Sequence, residues 1–112
     1  MLDIGIGPLA RFSIEFCRGG YDVTGVDISN TTLNFAKEYI NRSNCKNIKL
    51  IKDDLIELKR INEKFDLVFC VGTFGHIPSF LSIDTLKSFN RVLKGGSFCI
   101  VDIWIKKRMF HI

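Results

Sequence analysis

The residues most able to do chemistry begin at the start of the chain, where Asp3, Gly5, Gly7, Pro8 and Ala10 fall within one short run. Two glycines let backbone approach a ligand closely, and Pro8 can occupy the first turn of a following helix. Gly5, Gly7 and Ala10 also satisfy the GxGxxG/A spacing of a nucleotide-binding turn, and Asp27 falls where an acid that holds ribose hydroxyls belongs. A pyrophosphate would want free backbone donors and no carboxylate nearby, whereas Asp3 precedes the loop and Pro8 removes one N–H. A carboxylate there instead favours a cationic ligand without phosphate. Asp27 and Asp54 each have a second reading as a cap on a helix or turn. Farther along, the run from Gly72 to Pro78 contains His76, whose imidazole could take a proton from a hydroxyl or an amine. A histidine before Ile77 and Pro78 could equally cap the next helix or pack beneath it, and that structural reading is preferred. His111, in the terminal tail, carries less weight.

Elements that would position these residues alternate between short apolar β-type runs and helical patterns, which implies a parallel sheet with helices on both faces. Five strands are predicted: Met1 to Ile4, Asp22 to Val26, Ile48 to Ile51, Phe65 to Val71 and Ser97 to Ile105. Between the first two, Leu9, Phe12, Ser13, Phe16 and Cys17 recur at helical spacing, with Gly19 and Gly20 as the stop. After Asp27, Ser29 or Asn30 can cap a helix with an inner face of Leu33, Ala36, the Lys37 stem and Ile40. The stretch from Asp54 to Asn62 is poorly patterned and reads as a short helix or loop. The last helix, Ile83 to Leu93, is expected to bury Leu86, Phe89, the Asn90 stem and Leu93, and Gly95 with Gly96 turns it into the fifth strand.

Composition sets the outer limits. A chain of 112 residues with 46% hydrophobic and 25% charged side chains fits one domain, residues 1–112. Its net charge of +4 is scattered apart from Lys106, Lys107 and Arg108, so nucleic acid is not expected as a partner. Cys17, Cys45, Cys70 and Cys99 have no metal-ligand or CxxC spacing, and most lie in apolar runs where a thiol behaves as a small hydrophobe. Reduced cytoplasm is the expected location. No signal-peptide pattern is present, and the longest apolar run, Phe98 to Ile105, is broken by Asp102, so no membrane association is expected.

Leu2 to Gly7, followed by Gly25 to Ser29, resembles the first two motifs of class I S-adenosylmethionine-dependent methyltransferases, particularly those acting on small molecules. The resemblance extends over Lys52 to Leu55, Phe65 to Cys70 and Arg91 to Gly96. It implies a Rossmann-like doubly wound α/β fold and S-adenosylmethionine as cofactor. Carried over residue by residue, Asp3, Gly5 and Gly7 would line the methionine end. Asp27, followed by Ile28, would accept the ribose hydroxyls. Asp54 with the Leu55 backbone would read the adenine edge, and Cys70 and Val71 would close the pocket. A third glycine common in the family is replaced here by the run Pro8, Leu9 and Ala10.

The loop after the fourth strand lacks an Asn/Asp-Pro-Pro-aromatic sequence, and no Pro-Cys nucleophile occurs, so a small-molecule acceptor is expected. Members of the family usually carry residues before the first strand and two further strands after the fifth. The chain is therefore read as truncated at both ends, without the C-terminal antiparallel hairpin. A fifth strand so placed would present a long apolar edge, for which homodimerisation through that edge, instability, or a longer reading frame are the expected alternatives. Three functions stay open: an active methyltransferase with His76 as acid–base candidate, a non-catalytic S-adenosylmethionine-binding remnant, and an NAD-binding Rossmann domain.

Overall fold

The computed structural model describes residues 1–103. Its elements run β1 (Leu2–Ile4), α1 (Arg11–Arg18), β2 (Val23–Asp27), α2 (Asn30–Arg42), β3 (Ile48–Lys52), β4 (Phe65–Cys70), α3 (Ser82–Arg91) and β5 (Leu93–Val101), with two single 3₁₀ turns between β4 and α3. All five strands are parallel, in the order β3-β2-β1-β4-β5. The order reverses between β1 and β4, which creates a switch point beside the β1–α1 loop.

Strand parity divides the core. Leu2, Ile4, Val26, Val68 and Cys70 point to one face, where Phe89 and Val92 from the α3 region and Leu58 and Ile61 from the β3–β4 connection cover them. The opposite face carries Met1, Asp3, Val23 and Phe69 beneath the α1 and α2 side of the molecule. There Ala10 and Ile14 meet Ala36 and Ile40 over Leu50. Ser29 caps α2 by accepting the Thr32 amide at 3.2 Å, which resolves the choice between Ser29 and Asn30.

Several expectations shift. The buried stripe of α1 is Ala10, Ser13 and Ile14, while Leu9 and Phe12 are exposed and Phe16 is half-buried. Phe12 and Phe16 instead lean over the side of the helix to meet the Phe69 ring at 5.1 and 5.3 Å between centroids. Lys37 lies on the exposed side of α2. In α3 the buried residues are Thr85 and Phe89, with Leu86 and Asn90 outside. Thr85 is accommodated because its hydroxyl donates to the Leu81 carbonyl at 2.7 Å, so burial leaves no orphan polar group. β5 starts at Leu93, four residues before the expected Ser97, and the register against β4 slips between the Phe65–Leu93 and Leu67–Phe98 pairs. Residues 104 and 105, expected to end this strand, lie outside the described residues, as does His111. The segment from Asp54 to Asn62 forms turns without a helix, yet it contributes the fully buried Leu58 and Ile61.

Candidate cofactor-binding site

An open cleft of about 800 Å³ lies at the carboxyl ends of β1 and β4, within the size range of small-ligand sites. Its floor is the β1–α1 loop. Gly5 and Ile6 both donate their amides to the Val26 carbonyl, at 2.8 and 3.1 Å, so the loop is stapled to the end of β2. Gly5 has φ +73° and Gly7 φ +77°, conformations that L side chains rarely adopt. A Cβ at Gly5 would overlap the side chain of Thr73, whereas the same position at Gly7 faces open space. One glycine therefore permits contact between two loops, and the other leaves room for a ligand.

Asp27 ties the site together from the end of β2. One carboxylate oxygen accepts the Ser29 amide at 3.1 Å and the other the Gly7 amide at 3.5 Å, so the half-buried Asp27 caps the turn after β2 and ties it to the glycine loop. Both Asp27 and Thr32 line the cleft. Ile28 next to them is 56% exposed and does not line it.

Asp3 sits beneath the loop rather than in it. Only 3% exposed, it accepts a 2.6 Å hydrogen bond from the Ser13 hydroxyl. Burial pushes its carboxyl up to about 6, against the downward pull of that bond and with a smaller upward push from the Asp27 charge. Ser13 is thus inward-facing as the partner of an acid, a role its helical spacing alone does not reveal.

The fourth-strand side is formed by Val71, Gly72, Thr73 and His76. Gly72 donates its amide to Asp102 at 2.8 Å, and Asp102 donates its own amide to the Cys70 carbonyl at 3.3 Å, so the end of β5 pins this loop. His76 closes the 3₁₀ turn Phe74–His76 by donating its amide to the Thr73 carbonyl at 3.0 Å. Its exposed ring borders the cleft.

Besides Asp3 and Ile28, three more expected residues, Cys70, Asp54 and Leu55, do not line the cleft. The Cys70 side chain is fully buried among Leu2 and Val68, and burial pushes its thiol up to about 12. Asp54 caps the turn that follows β3, accepting the amides of Ile56 and Glu57 at 3.0 Å each, and Leu55 packs against the core. Neither borders the cleft. Asp53, its neighbour, is 5% exposed and accepts the Asp54 and Arg60 amides at 2.8 and 2.6 Å. Sequence reasoning missed Arg11, Phe12 and Thr32, which line the cleft beside Thr73 of the Gly72–Pro78 run. Arg11 opens α1 immediately after the glycine loop, a signal that helix-terminus reasoning could have used. No side chain caps α1, and the Arg11 guanidinium lies 5.8 Å from the centre of the Phe12 ring.

The sequence pattern of the methyltransferase-domain family matches residues 1–96. The chain belongs to that family. Among individual methyltransferase relatives, the YqeM protein of Bacillus subtilis, which carries a methyltransferase name, is 30% identical over 105 residues, 92% of this chain and 41% of that protein. Demethylmenaquinone methyltransferase of Staphylococcus aureus is 34% identical over 79 residues, covering 70% of this chain and 31% of the enzyme. The crystal structure of an S-adenosylmethionine-dependent methyltransferase from Clostridium acetobutylicum superposes with a TM-score of 0.81 at 28% identity, over 91% of this chain and 41% of that one. The chain therefore spans less than half the length of these methyltransferases. Its Rossmann-like parallel sheet with flanking helices is the methyltransferase fold. Among the described residues no helix is long and apolar enough to cross a membrane.

Proposed function

We propose that this chain is the S-adenosylmethionine-binding part of a methyltransferase that acts on a small-molecule acceptor. The observation that carries this reading is the convergence of the Gly5–Gly7 loop, Asp27 and the Val71–His76 loop on one cleft at the switch point. S-adenosylmethionine supplies an activated methyl group, so the protein's contribution is mainly positioning. Asp27 presents a carboxylate edge suited to a pair of ribose hydroxyls. The uncapped amides of α1 and the Arg11 guanidinium suit the carboxylate of the methionine moiety, while Asp3 supplies negative potential from below the loop. Ile28 and the Asp54–Leu55 turn, at the ends of β2 and β3, flank the side where an adenine would extend. Thr73 and His76 border the route by which an acceptor would approach, and His76 is the candidate to remove a proton from a hydroxyl or amine.

Calorimetric titration with S-adenosylhomocysteine, with NADH in parallel, tests the reading. Saturable binding of the former alone supports it. Binding of NADH alone would make the site a dinucleotide site, and binding of neither by a folded chain would sink it. Cofactor binding without turnover across an acceptor screen would leave a non-catalytic binding module. We further propose that β5 pairs edge to edge with β5 of a second copy, because a strand edge is self-complementary under two-fold symmetry. Among the described residues no strand covers that edge, and Phe98 and Ile100 are exposed beside it. Light scattering showing a monomer at working concentration would remove this proposal.

A further inference from the structure

Two of the four thiols come together at the end of the molecule remote from the glycine loop. Cys17 lies in the last turn of α1, and Cys45 lies in the connection between α2 and β3. The Cys45 thiol donates to the carbonyl of Ile14, 3.8 Å away and one helical turn before Cys17. Ile14 and Cys17 therefore present neighbouring positions of the helix to the same connection. The side chain of Ile48 packs against the cluster that includes Cys45 and against the one that includes Cys17. The neighbouring Cys45 thiol is the main reason the Cys17 thiol is held above its usual range, with burial adding to it. The Cys45 amide is in turn fixed by the Ser43 hydroxyl at 3.3 Å. Both cysteines are half-buried, so a small reagent can reach them, in contrast to Cys70.

We propose that Cys17 and Cys45 form a reversible disulfide that clips the end of α1 to the α2–β3 connection. The oxidant is a small-molecule disulfide such as oxidised glutathione. One cysteine, as its thiolate, attacks the reagent; the reagent's S–S bond breaks, a mixed disulfide forms, and the first reagent thiol leaves carrying a proton. The second cysteine, also as thiolate, attacks the protein sulfur of the mixed disulfide and releases the second reagent thiol with the other proton. Two protein thiols are oxidised and one reagent disulfide is reduced. The inference is independent of the cofactor reading, because neither cysteine borders the cleft.

The test uses the full chain incubated with oxidised glutathione, blocked with an alkylating agent, digested with trypsin and mapped without reduction. The expected product joins the peptide of residues 12–18 to that of residues 43–46, with Cys70 and Cys99 absent from the linkage. Recovery of Cys17 and Cys45 on separate peptides, alkylated or carrying glutathione, from a chain whose circular dichroism shows it folded would overturn the proposal. So would pairing of either residue with Cys70 or Cys99. Closing this loop is expected to raise the melting temperature by about 10 °C relative to the reduced chain. A cross-link that leaves the melting temperature unchanged or lowers it would show that the bond forms only in a distorted molecule. Cys17→Ser should abolish both the cross-link and the shift, and Cys45→Ser provides the same control from the other side.

Discussion

The two edge strands of the sheet differ in length and in what they expose. On the β1–β2–β3 side, Leu2, Ile4 and Val26 are fully buried, α1 and α2 interlock over one face, and the edge strand β3 is five residues long with Lys49 and Lys52 exposed. Short length and lysine are features that discourage an edge from recruiting another strand. On the β4–β5 side the edge strand is nine residues long, and Phe98 is 74% and Ile100 47% exposed. The glycine loop and Asp27 belong to the first side, and the loop with Thr73 and His76 to the junction with the second. The groups proposed for the methyl donor stand at the ends of β1 and β2, while Thr73 and His76 follow β4 in a loop tied through Gly72 to Asp102 after β5.

Four substitutions would break or sharpen this contrast. Phe89→Ala removes the largest fully buried side chain among the described residues and should cost about 3–5 kcal/mol in urea unfolding. A loss below about 1 kcal/mol would mean that α3 is not anchored on the β4 side as described. Asp3→Asn should stabilise the ligand-free protein. Because its folded carboxyl titrates near 6 and an unfolded aspartate lower, the wild type binds more protons folded than unfolded between those values. Its stability should therefore fall as pH rises from about 4 to about 6 and then level off, by up to about 3 kcal/mol in all. Asn at this position should flatten that slope, and an unchanged slope would assign the effect to another group. Asp27→Ala should weaken S-adenosylhomocysteine binding by about 100-fold in calorimetry, the effect of losing charge-assisted hydrogen bonds to two hydroxyls. Affinity within a factor of three of wild type would leave Asp27 as only a cap. Phe98→Ser should change folding stability by less than about 0.5 kcal/mol, as an exposed position does, while shifting any dimer toward monomer in light scattering.

Much of this architecture was legible in the sequence because buried parallel strands leave continuous apolar runs and glycines mark their ends. Leu2 to Gly7 and Phe65 to Cys70 were readable for that reason, and with them the side of the sheet where the cleft opens. Helix phase was harder. α1 carries apolar residues around more than half its circumference, so periodicity alone could not choose Ile14 over Phe12, and a buried Ser13 made sense only once Asp3 was seen opposite it. The same holds for Thr85, whose burial depends on a bond to the preceding turn. Leu58 and Ile61 went unassigned because a turn has no period to read. Asp54 and Cys70 were legible as positions at strand ends, but side-chain direction was not. The acid turned toward local amides and the thiol into the core.

The slip in β5 has one more consequence. Between the two pairs one residue of β4, Asp66, stands against four of β5, Lys94 to Ser97, where a Cβ at Gly95 or Gly96 would meet open space. Register counts in twos, so a rigid pairing would turn every later side chain over whenever one residue was lost. Here the irregularity lies early in β5, and beyond it the pairing is regular up to Cys70–Val101, next to the Gly72–Asp102 bond. The tract is tied back to β4 by the Lys94–Asp66 ion pair at 3.3 Å and turned by Gly96 at φ +78°, so the slip is absorbed before the strand reaches the pinned loop.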